Sequence, residues 1–138
     1  MSTKDPHAMP DTATPLMSGR GYRRVFVRDL EIVASVGLLE YEKRYDQRIL
    51  VSTELYVRDH YDGSSDRLAD VLDYSKVVDG MTQLIQREHV NLIETLAERI
   101  AAFCLADERV EAVRVKIEKP EVIENCRSVG IEIERHRG

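Results

Sequence analysis

The chain has 138 residues, of which 43% are hydrophobic and 6% aromatic, and it contains no tryptophan. This length suits one domain with a single core of aliphatic side chains. Twenty Lys and Arg residues against twenty-five Asp and Glu residues give a net charge of -5. That balance argues against binding to nucleic acid or to an acidic membrane surface, because such binding depends on neutralising phosphates.

The first 21 residues differ in composition from the rest. Three of the four prolines lie there among Ser, Thr and Asp, so we expect a mobile N-terminal extension ahead of one domain that spans residues 22–138. The extension lacks the apolar centre of a signal peptide, and no run of about 18 apolar residues could span a membrane. Because Cys104 and Cys126 show no motif spacing, a reducing cytoplasm is the expected location.

The first hydrophobic pattern predicts two strands. From Arg23 onward apolar residues alternate with period two, and the parity slips by one residue near Arg28 and Asp29, which predicts a β-bulge. After the polar connection GLLEYEKRYDQ, a second strand alternates from Ile49 to Val57. Because the connection is short, we expect the two strands to pair as an antiparallel hairpin.

Two amphipathic helices and two more strands complete the chain. The first helix follows Tyr74 and the second follows from Leu92, each with an apolar stripe at helical spacing. The stripes consist of Val77, Val78, Met81, Leu84 and Ile85 in the first helix and Ile93, Leu96, Ala97, Ile100 and Cys104 in the second. Alternating strands around residues 113–118 and 129–134 complete the order ββααββ.

This order predicts an α+β fold in which both helices cover one face of a four-stranded antiparallel sheet. Each strand except the first is apolar on one side and largely polar on the other, so the second sheet face should meet water. The sheet also has open edges, and closure with other copies into a barrel is one way to protect them. We therefore expect a homo-oligomer whose polar sheet faces line a wet channel.

The chemistry, if any, should depend on Lys, Glu and Tyr. The four histidines are scattered, with no HxH, HExxH or Cys/His pairing that would suggest a zinc site. The chain also lacks a Gly-rich phosphate loop and a GxSxG motif. We therefore expect neither a metal ion nor another cofactor.

Glu94, in the segment NLIETLAERI, has two interpretations. Asn91 is a good N-cap, and Glu94 follows at the spacing of a capping box, in which the carboxylate accepts from the backbone N–H of the cap. Alternatively, the carboxylate accepts two parallel N–H bonds from a planar ligand. One side chain cannot do both fully, and the local sequence alone favours the cap.

Three further residues have similar alternatives. Lys119, before Pro120 at the end of the third strand, is either a solvated lysine or a fixed ammonium or general base at a pocket. Glu42 is either one charge of a solvated loop or a carboxylate of a site. Tyr74 is either a packing residue or a site hydroxyl. For each residue taken singly, the structural alternative is the commoner one.

Four segments in combination resemble the dihydroneopterin aldolase family. They are GLLEYEKRYDQ after the first strand, DRLADVLDYS before the first helix, NLIETLA at the second helix, and KP followed by SVGIEIER at the end. The resemblance runs from Val25 to Arg135. Each segment alone is a weak signal, whereas the combination is specific.

The resemblance implies the tunnelling fold (T-fold), in which ββααββ subunits form tetrameric rings around a barrel of strands and the rings usually pair into octamers. It also implies retro-aldol cleavage of 7,8-dihydroneopterin into 6-hydroxymethyl-7,8-dihydropterin and glycolaldehyde, in folate biosynthesis. Neither a metal nor a Schiff base is implied, because the C=N bond of the dihydropterin ring takes up the electrons.

The resemblance also implies roles for individual residues. Glu94 matches the pterin anchor, which binds the 2-amino and N3–H edge with help from the backbone at Ile93. Lys119 matches the catalytic lysine, and Glu42 matches the carboxylate that works near the hydroxylated side chain. Tyr74 matches the tyrosine that assists proton transfer from across a subunit boundary. Because the sites in this family lie at interfaces, we expect an inert monomer.

Two rival functions stay open. A dihydroneopterin triphosphate epimerase would share the fold and much of the site, but a triphosphate calls for clustered cations, and only Lys43, Arg44 and Arg127 are candidates. The segment EVIENCRS after Pro120 does not match the family at every position, which leaves an added epimerase activity at C2′ open. A non-catalytic pterin-binding or assembly module would bind the pterin without turnover.

Overall fold

The computed structural model describes residues 21–138. Its elements in chain order are strand β1 (Tyr22–Ala34), helix α1 (Glu40–Arg44), strand β2 (Gln47–Arg58), a 3-10 turn (Leu68–Asp70), helix α2 (Tyr74–Gln86), helix α3 (Ile93–Leu105), strand β3 (Val110–Pro120) and strand β4 (Ser128–His136). The strands form one antiparallel sheet in the order β1-β2-β3-β4. The predicted α+β order ββααββ is confirmed, with the short helix α1 as an addition. The extension predicted for residues 1–21 falls outside the described residues, apart from Gly21.

The predicted bulge in β1 is present. The register between β1 and β2 shifts between Val27 and Leu30, and Asp29 within the bulge has a φ of +55°. The backbone N–H of Asp29 donates to Ser52 Oγ at 2.9 Å. Because one extra residue restores the parity of the strand, the apolar residues on both sides of the bulge point to the same face of the sheet.

Helices α2 and α3 pack on that apolar face and enclose an aliphatic core. Its fully buried large residues are Ile49, Leu55, Met81, Ile85, Leu96, Ile100 and Ile117. The opposite face bears charged pairs, such as Arg114 with Glu134 at 3.3 Å and Lys116 with Glu118 at 3.7 Å. Within the described part of the chain, no helix is long and apolar enough to cross a membrane.

One end of the sheet, where β1 and β3 finish and β2 and β4 begin, carries Lys119 and is called the Lys119 end below. The backbone just after β1 pairs there with the segment before α3, in a parallel bridge between Val36 and Val90. The N–H of Val90 donates to the carbonyl of Ser35 at 3.1 Å, and the N–H of Gly37 donates to the carbonyl of Val90 at 3.0 Å. This bridge brings the start of α3 to the Lys119 end.

Helix α3 begins at Ile93, one residue later than a helix capped by Asn91 would begin. Its N-cap is Leu92, which is extended and makes no side-chain cap hydrogen bond. The capping-box interpretation of Asn91 and Glu94 is therefore wrong. Pairing of Val90 with Val36, just after β1, keeps the chain extended through this segment, so a tertiary contact overrides the local cap signal.

Candidate active site

Lys119 and Glu42 form an ion pair at the Lys119 end of the sheet. Lys119 Nζ lies 2.8 Å from Glu42 Oε2, and the two side chains are only 13% and 6% exposed. Lys119 follows the buried Ile117 by two residues and therefore shares its sheet face. The short helix α1 directs Glu42 inward to meet it. The structure thus brings together two residues that the sequence singled out in distant segments.

The Glu42 carboxylate is held by three donors. Besides Lys119, Gln47 Nε2 donates to Oε2 at 3.1 Å, and the backbone N–H of Leu39 donates to Oε1 at 3.1 Å. Burial by itself would raise the pKa of Glu42, but the hydrogen bonds from Lys119, Gln47 and Leu39 outweigh it and lower the pKa to about 2. Since the carboxylate stays ionised and its lone pairs face donors, it suits a charge partner better than a general base.

The Lys119 ammonium keeps donors for other groups. A lysine ammonium has three N–H donors, and among residues 21–138 its hydrogen-bond acceptor is Glu42. Two N–H groups are therefore available to a water molecule or a ligand. Because the Lys119 side chain is largely buried, its ammonium is a fixed positive charge that can stabilise an anion formed during a reaction.

Gly37 makes the position of Glu42 sterically accessible. Its φ is +133°, and a Cβ atom added there would lie 2.1 Å from Glu42 Cδ and 2.2 Å from Oε1. Any other residue would have to displace the carboxylate. Neither Gly37 nor Gln47 was predicted as a site residue, although they are the first and last residues of the segment GLLEYEKRYDQ.

Glu94 and Ile93 lie in the first turn of α3. Glu94 is exposed, and no hydrogen bond to its carboxylate occurs within the described range, whereas Ile93 packs against the core. Because the bridge of Val36 with Val90 holds this turn at the Lys119 end, the Glu94 carboxylate and the Glu42–Lys119 ion pair occupy the same end of the molecule. The N-terminal turn of a helix also favours negative charge.

Tyr74 lies at the other end of α2 from these residues. It is the first residue of that helix and is 67% exposed. The last residue of the helix, Gln86, donates from Nε2 to the carbonyl of Val33 at 3.3 Å, close to the Lys119 end. A helix of 13 residues is about 20 Å long. Within one chain, Tyr74 is therefore not brought together with Glu42 and Lys119.

The described residues offer little to a metal ion. Nowhere between residues 21 and 138 do three His, Cys, Asp or Glu side chains come close enough to one another to hold one. The three cations considered for a triphosphate, Lys43, Arg44 and Arg127, are all exposed.

Comparison with known proteins identifies the family. The family model described as dihydroneopterin aldolase matches residues 25–134 of the chain. The chain belongs to the dihydroneopterin aldolase family. The dihydroneopterin aldolase of Streptomyces coelicolor is 37% identical over 98 residues, which cover 71% of this chain and 82% of that protein.

Solved dihydroneopterin aldolases share the fold. The enzyme from Burkholderia thailendensis, bound to guanine, superposes with a TM-score of 0.78 at 31% identity, covering 91% of this chain and 98% of that chain. The enzyme from Escherichia coli, in complex with neopterin, gives a TM-score of 0.77 at 26% identity and covers 82% and 98%. The predicted T-fold is thereby confirmed for the subunit.

Proposed function

We propose that this chain carries out the reaction of its family, the retro-aldol cleavage of 7,8-dihydroneopterin into 6-hydroxymethyl-7,8-dihydropterin and glycolaldehyde in folate biosynthesis. In this proposal Glu94 binds the ring, and the Glu42–Lys119 ion pair acts on the side chain. The proposal rests on the 2.8 Å contact between Lys119 Nζ and Glu42 Oε2. This contact lies at the end of the sheet where the first turn of α3 is also placed.

Glu94 provides the anchor for the heterocycle. A pterin presents its N3–H and its 2-amino group as two parallel donors, which match the two oxygens of a carboxylate. Guanine has the same kind of donor edge, and the Burkholderia thailendensis relative was solved with guanine bound. The exposed carboxylate of Glu94 and the neighbouring backbone at Ile93 support this assignment.

The cleavage breaks the C1′–C2′ bond of the substrate. The C2′ hydroxyl loses its proton as C2′ becomes the aldehyde carbon of glycolaldehyde. The electron pair of the broken bond forms a C1′=C6 double bond, and the π pair of the C6=N5 bond moves onto N5, which gains a proton. C1′ later takes up a proton to give the hydroxymethyl product, with return of the N5 proton. No external electron acceptor is needed, so the proposed reaction is independent of metal and cofactor.

Lys119 acts in its charged form through a water molecule. Its contact with Glu42, which stays ionised with a pKa of about 2, provides a partner for an ammonium. The two remaining N–H donors orient the water that takes the C2′ proton and stabilise the developing negative charge. Glu42 holds the ammonium in place and is not itself the base.

A second copy of the chain completes the site by supplying Tyr74. This part of the proposal is supported by the exposure of Tyr74 and by its position at the far end of α2. Exposed apolar side chains around α1 support a subunit contact near the site; they are Leu38, Leu39, Tyr41 and Tyr45. We propose tetrameric rings, paired into octamers, in the cytoplasm; the free thiols of Cys104 and Cys126 fit a reducing compartment.

The test is incubation with 7,8-dihydroneopterin in buffer that contains a metal chelator, followed by detection of glycolaldehyde. We expect turnover by the wild-type chain and loss of turnover in Lys119→Met. Neopterin binding without any glycolaldehyde would indicate a non-catalytic module. In a parallel assay with dihydroneopterin triphosphate, inversion at C2′ without cleavage would indicate an epimerase. Turnover that requires added zinc would overturn the metal-free mechanism.

A further inference from the structure

We propose that His89 is a positioning residue for the retro-aldol step, which sets the place of Glu42 relative to the helix that carries Glu94. This inference rests on the proposed function and extends it to a residue outside the set Glu42, Lys119, Glu94 and Tyr74. His89 lies just before Val90, in the segment that joins α2 to α3, and its ring is partly buried against the chain that leaves β1.

Both ring nitrogens of His89 bond to the segment after β1. Nδ1 lies 2.6 Å from Ser35 Oγ, and Nε2 lies 3.0 Å from the carbonyl oxygen of Gly37. The backbone of the next residue, Val90, bonds to the same two residues. The side chain and the backbone of the α2–α3 segment therefore clamp residues 35–37 at both ends.

The partners of the ring define its role. The carbonyl of Gly37 can only accept, so Nε2 must carry a hydrogen. In the neutral ring Nδ1 then accepts from the hydroxyl of Ser35, and in the charged ring it donates to the same oxygen. In both forms each nitrogen is engaged with the protein, so His89 has no free position from which to exchange a proton with a substrate.

The clamped segment forms the support of Glu42. Gly37 packs so closely on the Glu42 carboxylate that it leaves no room for a Cβ atom. The carbonyl of Val36 accepts from Gln47 Nε2, the same nitrogen that donates to Glu42 Oε2. A shift of residues 35–37 would therefore move the carboxylate that holds Lys119.

The same contacts also hold the segment that leads into α3. Glu94 follows His89 by five residues, across the bridged Val90. The His89 contacts thus connect the segment that leads to Glu94 with residues 35–37, which contact Glu42. In the proposed reaction Glu94 binds the pterin ring, and the Glu42–Lys119 ion pair acts on the side chain, so the distance between these groups must be fixed. A misplacement of about 1 Å can cost up to roughly a hundredfold in rate.

The test compares His89→Phe, which keeps a flat ring but no hydrogen bonds, with His89→Gln, whose amide can still donate to the carbonyl of Gly37. We expect kcat for dihydroneopterin cleavage to fall by about tenfold in His89→Phe, with less than about a twofold change in KM and in neopterin affinity, because Glu94 is untouched. His89→Gln should recover most of kcat. His60→Phe, which changes an exposed histidine at the opposite end of β2, is the matched control and should behave as wild type.

The outcomes separate this inference from the proposed function. An active wild type together with unchanged kcat in a folded His89→Phe would overturn the positioning role and leave the function standing. A purely structural role would lower the melting temperature of His89→Phe and leave kcat at 20 °C unchanged, which would also overturn it. An inactive wild type would overturn both. Should His89→Phe not fold, Ser35→Ala decides the question, with an expected fall in kcat of about threefold at constant KM; an unchanged kcat there overturns the inference.

Discussion

Lys119 and Glu42 are 77 positions apart in the sequence, and in the folded chain Lys119 Nζ lies 2.8 Å from Glu42 Oε2. Both side chains are largely withdrawn from solvent, so each charge depends on the other for compensation. Removing one partner of such a pair leaves an uncompensated buried charge, which costs more than removing both.

Replacement of Lys119 should therefore affect stability and turnover in different ways. We expect Lys119→Met to abolish cleavage and to lower the free energy of unfolding by about 3 kcal/mol. The double variant with Glu42→Gln should regain much of that stability without regaining turnover. Urea denaturation and the glycolaldehyde assay measure the two effects, with Lys76→Met, an exposed lysine of α2, as the control. A double variant no more stable than Lys119→Met would contradict this account.

The pKa of Glu42 predicts how stability depends on pH. Its folded-state pKa of about 2 lies below the ordinary value of 4.5, so its contribution is present above pH 4.5 and is lost as the pH falls toward 2. The contribution amounts to roughly 3 kcal/mol. Urea denaturation at several pH values should show a smaller acid loss of unfolding free energy in Glu42→Gln than in wild type. Parallel profiles for the two proteins would rule this contribution out.

Gly37→Ala tests the close approach of the backbone to Glu42. The added methyl group would collide with the carboxylate, so we expect turnover to fall by more than tenfold and stability to fall by about 1 to 3 kcal/mol. Gly63→Ala is the matched control, because Gly63 also has a positive φ, of +91°, but nothing lies within 4 Å of its added Cβ. Equal losses in both variants would assign the effect to backbone strain and not to Glu42.

Glu94→Gln should separate ligand binding from helix stability. The carboxylate is exposed and caps no backbone group of α3, so we expect the melting temperature to change little. Neopterin affinity should fall by at least a hundredfold, because one charged partner of a bidentate contact is lost. Calorimetry measures the affinity, and Asp79→Asn, an exposed acid on α2, is the control. Retained affinity with a lower melting temperature would show that Glu94 serves the helix after all.

Mixing two inactive variants tests whether Tyr74 comes from another copy. Tyr74→Ala and Lys119→Met each lack one part of the site, and a site formed between copies regains both parts in some mixed assemblies. After unfolding and joint refolding at equal amounts, random assembly should restore about a quarter of wild-type turnover. A site contained in one chain would regain no activity on mixing.

The sequence predicted the order and type of the main elements because their signals are local. Alternation of apolar residues predicted the strands, and the slip near Asp29 predicted the bulge at its observed place. The short helix α1 was missed because its five residues, EYEKR, bear no apolar stripe. The cap at Asn91 failed for the opposite reason, since a good local signal lost to the pairing of Val90 with Val36.

The candidate site was only partly accessible to sequence reasoning. Their spacing in the sequence suggested no link between Glu42 and Lys119. The family resemblance predicted that both belong to one site, and in the structure they are in direct contact. Gly37, Gln47 and His89 were not singled out. Their role depends on which backbone atoms lie beside Glu42, and that arrangement arises only when residues 35–37 pair with Val90.

Tyr74 and Lys119 lie at opposite ends of the subunit. The proposal that two copies of the chain form each site therefore has a kinetic consequence. If each active site contains residues from two chains, specific activity depends on assembly. It must decline when the enzyme is diluted below the dissociation constant of the oligomer. Concentrating the same sample would then restore the rate.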